Sequence, residues 1–432
     1  MRSGILAMAA AAGLTLFAPG NAHAETIDVA RFRQLRAEGV AAASSGDLEA
    51  AADRLRQAAA IMPTHTGLIL MQARIAAAGG HAPEAIVFLS RYADFGLIAD
   101  IAADPLFAEV VVDSGFAPVA EQLRRNRASV GEPSAILRDD QLHLLEGLAW
   151  NSGGDELLVS SIRDHTIYRI DDGGLVPWLQ PAQSLGIYGL AIDEGGDRLW
   201  AASVGSPESG ATDTADTGRT ELLEIELSSG RILARHAPPP APRRNFGDVA
   251  VAGDGTVSVS DSTTGEVFLL RPGGSGLEPL IGPGAFGSPQ GMAFSPDAGL
   301  LLIADYSAGL YRIDLRTREV APVMMPDGLT LISTDGMALS GDGALWLVQN
   351  GVSPSRLMRL ELTSDWRGVV EATVEAANLE YMDQPSGLAI GADAVLFIQQ
   401  SQWGRFDREG RPRADRTDTA VISALPLARL GK

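Results

Sequence analysis

Residues 146–150 read Glu-Gly-Leu-Ala-Trp, and the pattern returns five times: Tyr188-Gly-Leu-Ala-Ile192, Gly247-Asp-Val-Ala-Val251, Gln290-Gly-Met-Ala-Phe294, Asp335-Gly-Met-Ala-Leu339 and Ser386-Gly-Leu-Ala-Ile390. Most copies run into a Gly/Asp turn, such as Gly253-Asp254-Gly255 or Gly341-Asp342-Gly343. A second apolar run follows: Leu157-Leu-Val-Ser160, Leu199-Trp-Ala-Ala202, Val257-Ser-Val-Ser260, Leu301-Leu-Ile-Ala304, Leu345-Trp-Leu-Val348 and Val395-Leu-Phe-Ile398. Short alternating runs at this period, separated by Gly-rich turns, mean a radial repeat with four strands per blade. The expectation is a six-bladed β-propeller over residues 131–432, its constant Ala fitting a crowded inner strand. Residues 131–145 or 418–429 are expected to supply the strand that closes the ring.

Upstream of the repeat the periodicity is helical. Gly46 and Gly80, and likewise Ala51 and Ala85, stand 34 residues apart. Small residues at that period let antiparallel helices approach closely, and the spacing resembles the tetratricopeptide repeat. Residues 25–130 are therefore expected to form tetratricopeptide-like helical hairpins, giving a multidomain chain, α followed by all-β. Two copies leave little concave surface, so the region is either a helical appendage or a groove for a protein partner. Before it, Arg2, an apolar run from Ile5 to Phe17, and Ala22-His23-Ala24 read as a signal peptide over residues 1–24. The expectation is export to the periplasm or beyond, with cleavage near Ala24.

Composition removes several chemistries. There is no cysteine, hence no thiol nucleophile or thiolate metal site. The sole lysine is Lys432, which excludes a P-loop or Schiff-base lysine. A formal net charge of −20 disfavours nucleic acid and suits a cation or a neutral ligand.

The residues just before the inner strands ring one mouth of a propeller's channel: Glu146, Tyr188, Gly247, Gln290, Asp335 and Ser386. Two carboxylates and an amide oxygen there suit a hard divalent cation. On position alone, Glu146 and Asp335 equally fit a turn-capping role. His165 and Tyr306, which follow second strands, are candidate funnel residues.

The motifs Glu146-Gly-Leu-Ala-Trp150, Ser295-Pro-Asp297 before Leu301-Leu-Ile-Ala-Asp305, and Asp335-Gly-Met-Ala resemble the senescence-marker-protein/gluconolactonase/luciferin-regenerating family over roughly residues 140–410. The resemblance implies a metal in the funnel, Ca²⁺ foremost, held by Glu146, Gln290 and Asp335, with Asp335 as catalytic base or nucleophile. It implies hydrolysis of a sugar lactone or related ester. Gln290 stands where that family has Asn, and Gly247 stands where it has another, only Asp248 being kept; Asn245 lies two residues earlier. Tyr188, Asn245, Asp248, His165 and Tyr306 are the expected substrate contacts. The alternative is a non-catalytic binding or scaffold protein that uses the propeller and helices as partner surfaces.

Overall fold

The computed structural model describes residues 28–427 apart from 182–184, 194, 196, 212–215, 242 and 408. The expected signal peptide, residues 1–24, lies outside the described residues.

The described residues open with six α-helices: α1 (Val29–Ser44), α2 (Leu48–Ile61), α3 (Thr66–Ala78), α4 (Ala82–Asp94), α5 (Ala108–Val112) and α6 (Phe116–Arg125). Asp28 and Asp47 cap the first two, accepting backbone N–H bonds from Arg31 and Ala50 at 2.8 and 3.0 Å. Gly46 and Gly80 adopt φ +86° and +73°, which glycine does without steric cost and which turns each hairpin back on itself. Ala51, Ala58, Ala73 and Ala85 are fully buried between helices. A Cβ on Gly39 would stand 2.7 Å from Leu55 Cδ2, so the α1–α2 approach depends on that residue being glycine.

Beyond the helices, the strands form six four-stranded antiparallel sheets. Their inner strands are Leu145–Asn151, Gly186–Asp193, Phe246–Val251, Pro289–Phe294, Thr334–Leu339 and Leu388–Ile390. Each inner strand packs against the next, and the sixth packs against the first, which closes a six-bladed propeller. The last blade draws on both stretches named as candidates for closure: its third strand is Ala420–Pro426 and its outermost is Ser134–Asp139. Pairing Ser134 with Ala424 and Asp139 with Ala420 locks the two ends of the propeller into one sheet.

The repeated motif has a geometric cause. In the first five blades the ladder between inner and second strand slips at the motif, between Leu145 and Leu148, Ile187 and Leu190, Phe246 and Val249, Pro289 and Met292, and Thr334 and Met337. Such a bulge re-aims a side chain. The glycine in it lets neighbouring blades touch by their backbones. A Cβ on Gly147, Gly291 or Gly387 would lie 2.4, 2.4 or 2.2 Å from the carbonyl oxygen of Tyr188, Asp335 or Glu146 on the adjacent blade.

The helical region docks on the loops that lead into the inner strands and leave the second strands. Arg33 donates to Gly287 O at 3.0 Å, and Thr330 Oγ1 donates to Thr64 O at 3.0 Å. Ile98 N donates to Ser353 O at 2.7 Å. Val352 is buried among the residues of the helical core. The helices therefore sit on the face that carries the channel mouth, over the fourth and fifth blades. Among the described residues no helix is long and apolar enough to cross a membrane.

Candidate active site at the channel mouth

Buried polar residues at the ends of the second strands shape the mouth. Ser161 Oγ donates to His143 O at 2.5 Å, and Ser203 Oγ accepts from Leu185 N at 3.1 Å. Asp261 Oδ1 accepts from Asn245 N at 3.1 Å, and Asp305 accepts from Gly287 N and Ser288 N at 2.5 and 3.1 Å. Gln349 Nε2 donates to the carbonyls of Thr330 and Ile332 at 3.0 and 2.8 Å. In each case the strand end pins the loop leading into its own blade's inner strand. A buried, satisfied polar group of this kind specifies one loop conformation.

The mouth cavity measures about 440 Å³. It brings together Glu146, Tyr188, Asn245, Gln290, Asp335 and Tyr306, all expected from the sequence, and adds Ser262, Asn350, Gln384 and Trp403. It opens onto the channel between the inner strands, where Asp248 lines the wall with Glu146, Gln290 and Asp335. Gly247 lies on the rim, and the space for its absent side chain is taken: a Cβ there would be 3.1 Å from Gln290 Oε1. The longer Gln thus fills room that the Gly leaves. His165 lies apart from both cavities. Its φ is +56° and its Nε2 meets Ser209 O at 2.8 Å, so it fastens the insertion that follows Val204 within the second blade. The described flanks of that insertion are themselves hydrogen-bonded, Ser206 to Ser209. The stretch 212–215 lies outside the described residues.

Each carboxylate at the mouth is held by defined partners. Glu146 Oε2 accepts from Trp403 Nε1 at 2.9 Å. Asp335 Oδ2 accepts from Asn350 Nδ2 at 2.6 Å, while Asn350 Oδ1 accepts from Tyr306 O–H at 2.9 Å. That second bond fixes which way the Asn350 amide faces. Asp248 Oδ2 accepts from Met292 N at 3.1 Å, which ties it across to the next blade. All three acids lie deep in the molecule, exposed only along the channel. Burial, followed by the charge of Asp335 and countered by the Trp403 bond, pushes Glu146 up to about 8. Burial pushes Asp248 up to about 7 and Asp335 up to about 6. No Lys, Arg or His is among the described residues of the mouth cavity. Burial also raises Tyr306 to about 12, keeping it a neutral donor.

Among the described residues no three His, Asp or Glu side chains gather closely enough to hold a metal by themselves. A cation at the mouth would draw on amide oxygens as well. Asn245 Oδ1 is buried with no hydrogen-bond partner, while its Nδ2 is held by Ser262 Oγ at 3.1 Å. Asn245 lines the same cavity as Glu146 and Asp335, whose charges repel, and carboxylates together with an amide oxygen are the donor types a hard cation takes.

No family model matches the chain, and no curated protein matches it. Solved structures with a similar fold include a gluconolactonase from Xanthomonas campestris, 16% identical, with 69% of this chain and 92% of that one covered and a TM-score of 0.46. A calcium-binding protein, regucalcin, from Agrobacterium tumefaciens is 15% identical over 70% and 100% of the two chains, with a TM-score of 0.45. An aldose sugar dehydrogenase from Streptomyces coelicolor is 16% identical over 69% and 99%, with a TM-score of 0.46. The likeness lies in the propeller architecture, so chemistry has to be argued from the mouth residues.

Proposed function

We propose that this chain is a divalent-cation-dependent hydrolase that takes a sugar lactone or related ester at the channel mouth. The observation that carries the reading is that Glu146 and Asp335 line one cavity with amides and aromatics, Asp248 lining the adjoining channel, and that no cationic side chain is among the described residues of either. Glu146, Gln290 and Asp335 would hold the cation, with Asn245 Oδ1 as a further oxygen, and Ca²⁺ suits such a mixed set best. When bound, the cation polarises a carbonyl and acidifies water. The protein's own part is positioning and proton transfer. Asn350 engages one oxygen of Asp335, and the other accepts the proton of the water that attacks the carbonyl carbon. The ring C–O bond breaks, and the proton passes to the departing alkoxide, giving the hydroxy acid. Burial holds the Asp335 carboxyl above the ordinary carboxylate range, which strengthens it as a base. Tyr188, Tyr306 and Trp403 give the substrate walls that are apolar on the face and polar at the tip.

The test measures lactone hydrolysis and melting temperature with Ca²⁺ or with chelator. Asp335→Asn should lose activity by about 10²–10⁴-fold, the usual worth of a positioned base, and lose the Ca²⁺-induced rise in melting. Unchanged melting with Ca²⁺ and no turnover of any lactone would sink the reading.

The helical region supports a second role, in binding. A groove of about 660 Å³ lies among α2, α3 and α4, with Ala52, Ala59, Ile75 and Phe88 inside and Arg56 and Arg91 among its lining. In that reading a protein partner co-purifies with the full chain and is lost when residues 25–130 are deleted. The segment 1–24 supports export, and sequencing the N-terminus of secreted material should then begin at Glu25.

A further inference from the structure

We propose that Arg356 is a positioning residue through which the helical region holds the Asp335 side of the mouth in shape. This rests on the reading of the mouth as the reactive site. Arg356 is only 3% exposed. Its Nη1 donates to Phe95 O at 2.9 Å, just beyond α4, and its Nε donates to Gln349 Oε1 at 2.7 Å. With its oxygen so engaged, Gln349 must turn its amide N–H₂ to the carbonyls of Thr330 and Ile332, in the loop that delivers Asp335. The loop then continues under tight control: Ser333 N donates to Tyr306 O at 2.7 Å, and Asn350 N donates to Ser333 O at 3.2 Å. Asn350 and Tyr306 are the residues that orient the Asp335 carboxylate. A continuous set of hydrogen bonds thus runs from the end of α4 to the mouth.

The chemistry of Arg356 argues against simple packing. No carboxylate pairs with it among the described residues, and its Nη2 is buried without a partner. A buried charge with no counter-ion costs stability, and an apolar residue of similar length fills such a space at least as well. The residue at 356 is therefore spent on direction: two donors aimed at two acceptors in different parts of the chain. The neighbouring contacts of Ile98 with Ser353 and of Thr330 with Thr64 anchor the same loops to the same helices.

The experiment compares wild type, Arg356→Met and Arg356→Lys as full chains. Calorimetric titration with CaCl₂, melting temperature and hydrogen exchange over residues 330–335 and 349–353 are read for each. Arg356→Met should fold but melt below wild type, because Phe95 O and Gln349 Oε1 lose their buried donor, and it should bind Ca²⁺ about tenfold more weakly, as expected for a residue that orients a ligand without touching the ion. Exchange should quicken in both stretches, and Arg356→Lys should restore part of the loss. Leu223→Ala, a cavity in the remote second blade, should lower melting without altering Ca²⁺ affinity. Wild-type affinity in Arg356→Met overturns the proposal while the hydrolase reading stands. If wild type binds no Ca²⁺, the cation reading falls and exchange decides: faster exchange at 330–335 supports the relay, and unchanged exchange overturns it.

Discussion

Glu146, Asp248 and Asp335 compete for the same protons, and their folded pKa values of about 8, 7 and 6 stand above the ordinary carboxylate values of 4.5 and 3.8. Each group then binds its proton more tightly in the folded chain than in the unfolded one. Their contribution is intact below about pH 4 and is lost as pH rises through the folded values. In chelator, the melting temperature should fall between pH 5 and pH 8.5. With Ca²⁺ the fall should flatten, because the cation takes over from protons the task of offsetting repulsion. Binding at pH 6.5 should release protons, which calorimetry in buffers of different ionisation enthalpy would count; no release would mean that Ca²⁺ binds elsewhere. Glu146, Gln290 and Asp335 were legible in sequence because they occupy a repeated register, the residue just before the motif's Gly. Asn350 and Ser262 were not named from the sequence, although they follow second strands in the same register as Tyr306, a signal that points to them. His165 sits three residues past the register, on a turn that faces Ser209. Trp403 was not legible as a mouth residue: it arrives on a short helical turn, Trp403–Arg405, in the long loop between the second and third strands of the sixth blade, where no repeated register reaches.

At the level of elements, the motif glycines are contact points between blades. Gly387 N donates to Glu146 O at 3.1 Å, and a Cβ on it would fall 2.2 Å from that oxygen. Gly387→Ala must push the sixth blade off the first, at a cost of roughly 1–3 kcal/mol by the usual scale of overpacking, and it should displace Glu146. Gly253→Ala, on an exposed turn with nothing within 4 Å of the new methyl, should stay within about 0.5 kcal/mol of wild type. Denaturant unfolding of the two variants checks the contrast; equal losses would mean that the inner ring tolerates displacement. Blade number and inner strands were plain from the sequence, since the small residue and the following apolar-Ala pair recur in every blade, with Gly at the contact position in all but the third, where Asp248 stands. The outermost strand, Ser134–Asp139, carries no such pattern and pairs only with the far end of the chain, so its partner could not be read locally.

Across the whole molecule, the helices and the propeller share buried polar and apolar contacts. Val352 lies in the helical core, Ala308 packs against α1–α3, and Asn378 Nδ2 donates to Asn126 O and Ala128 O at 2.9 Å. Scanning calorimetry should therefore show one cooperative transition; a separate low-temperature transition for residues 28–127 would show that the docking is weak. The closing blade has a further consequence, for synthesis. Ser134–Asp139 is made before every other described strand, yet its partner in the sheet is Ala420–Pro426, the last of the described strands. Until then it is an unpaired edge, and Arg138, Asp139 and Asp140 give it charges of the kind that discourage pairing with other chains. Ring closure joins sequence-distant strands and so belongs among the slow steps of folding. A chain stalled or truncated before residue 420 should carry five finished blades and remain open, with the first strand unclaimed.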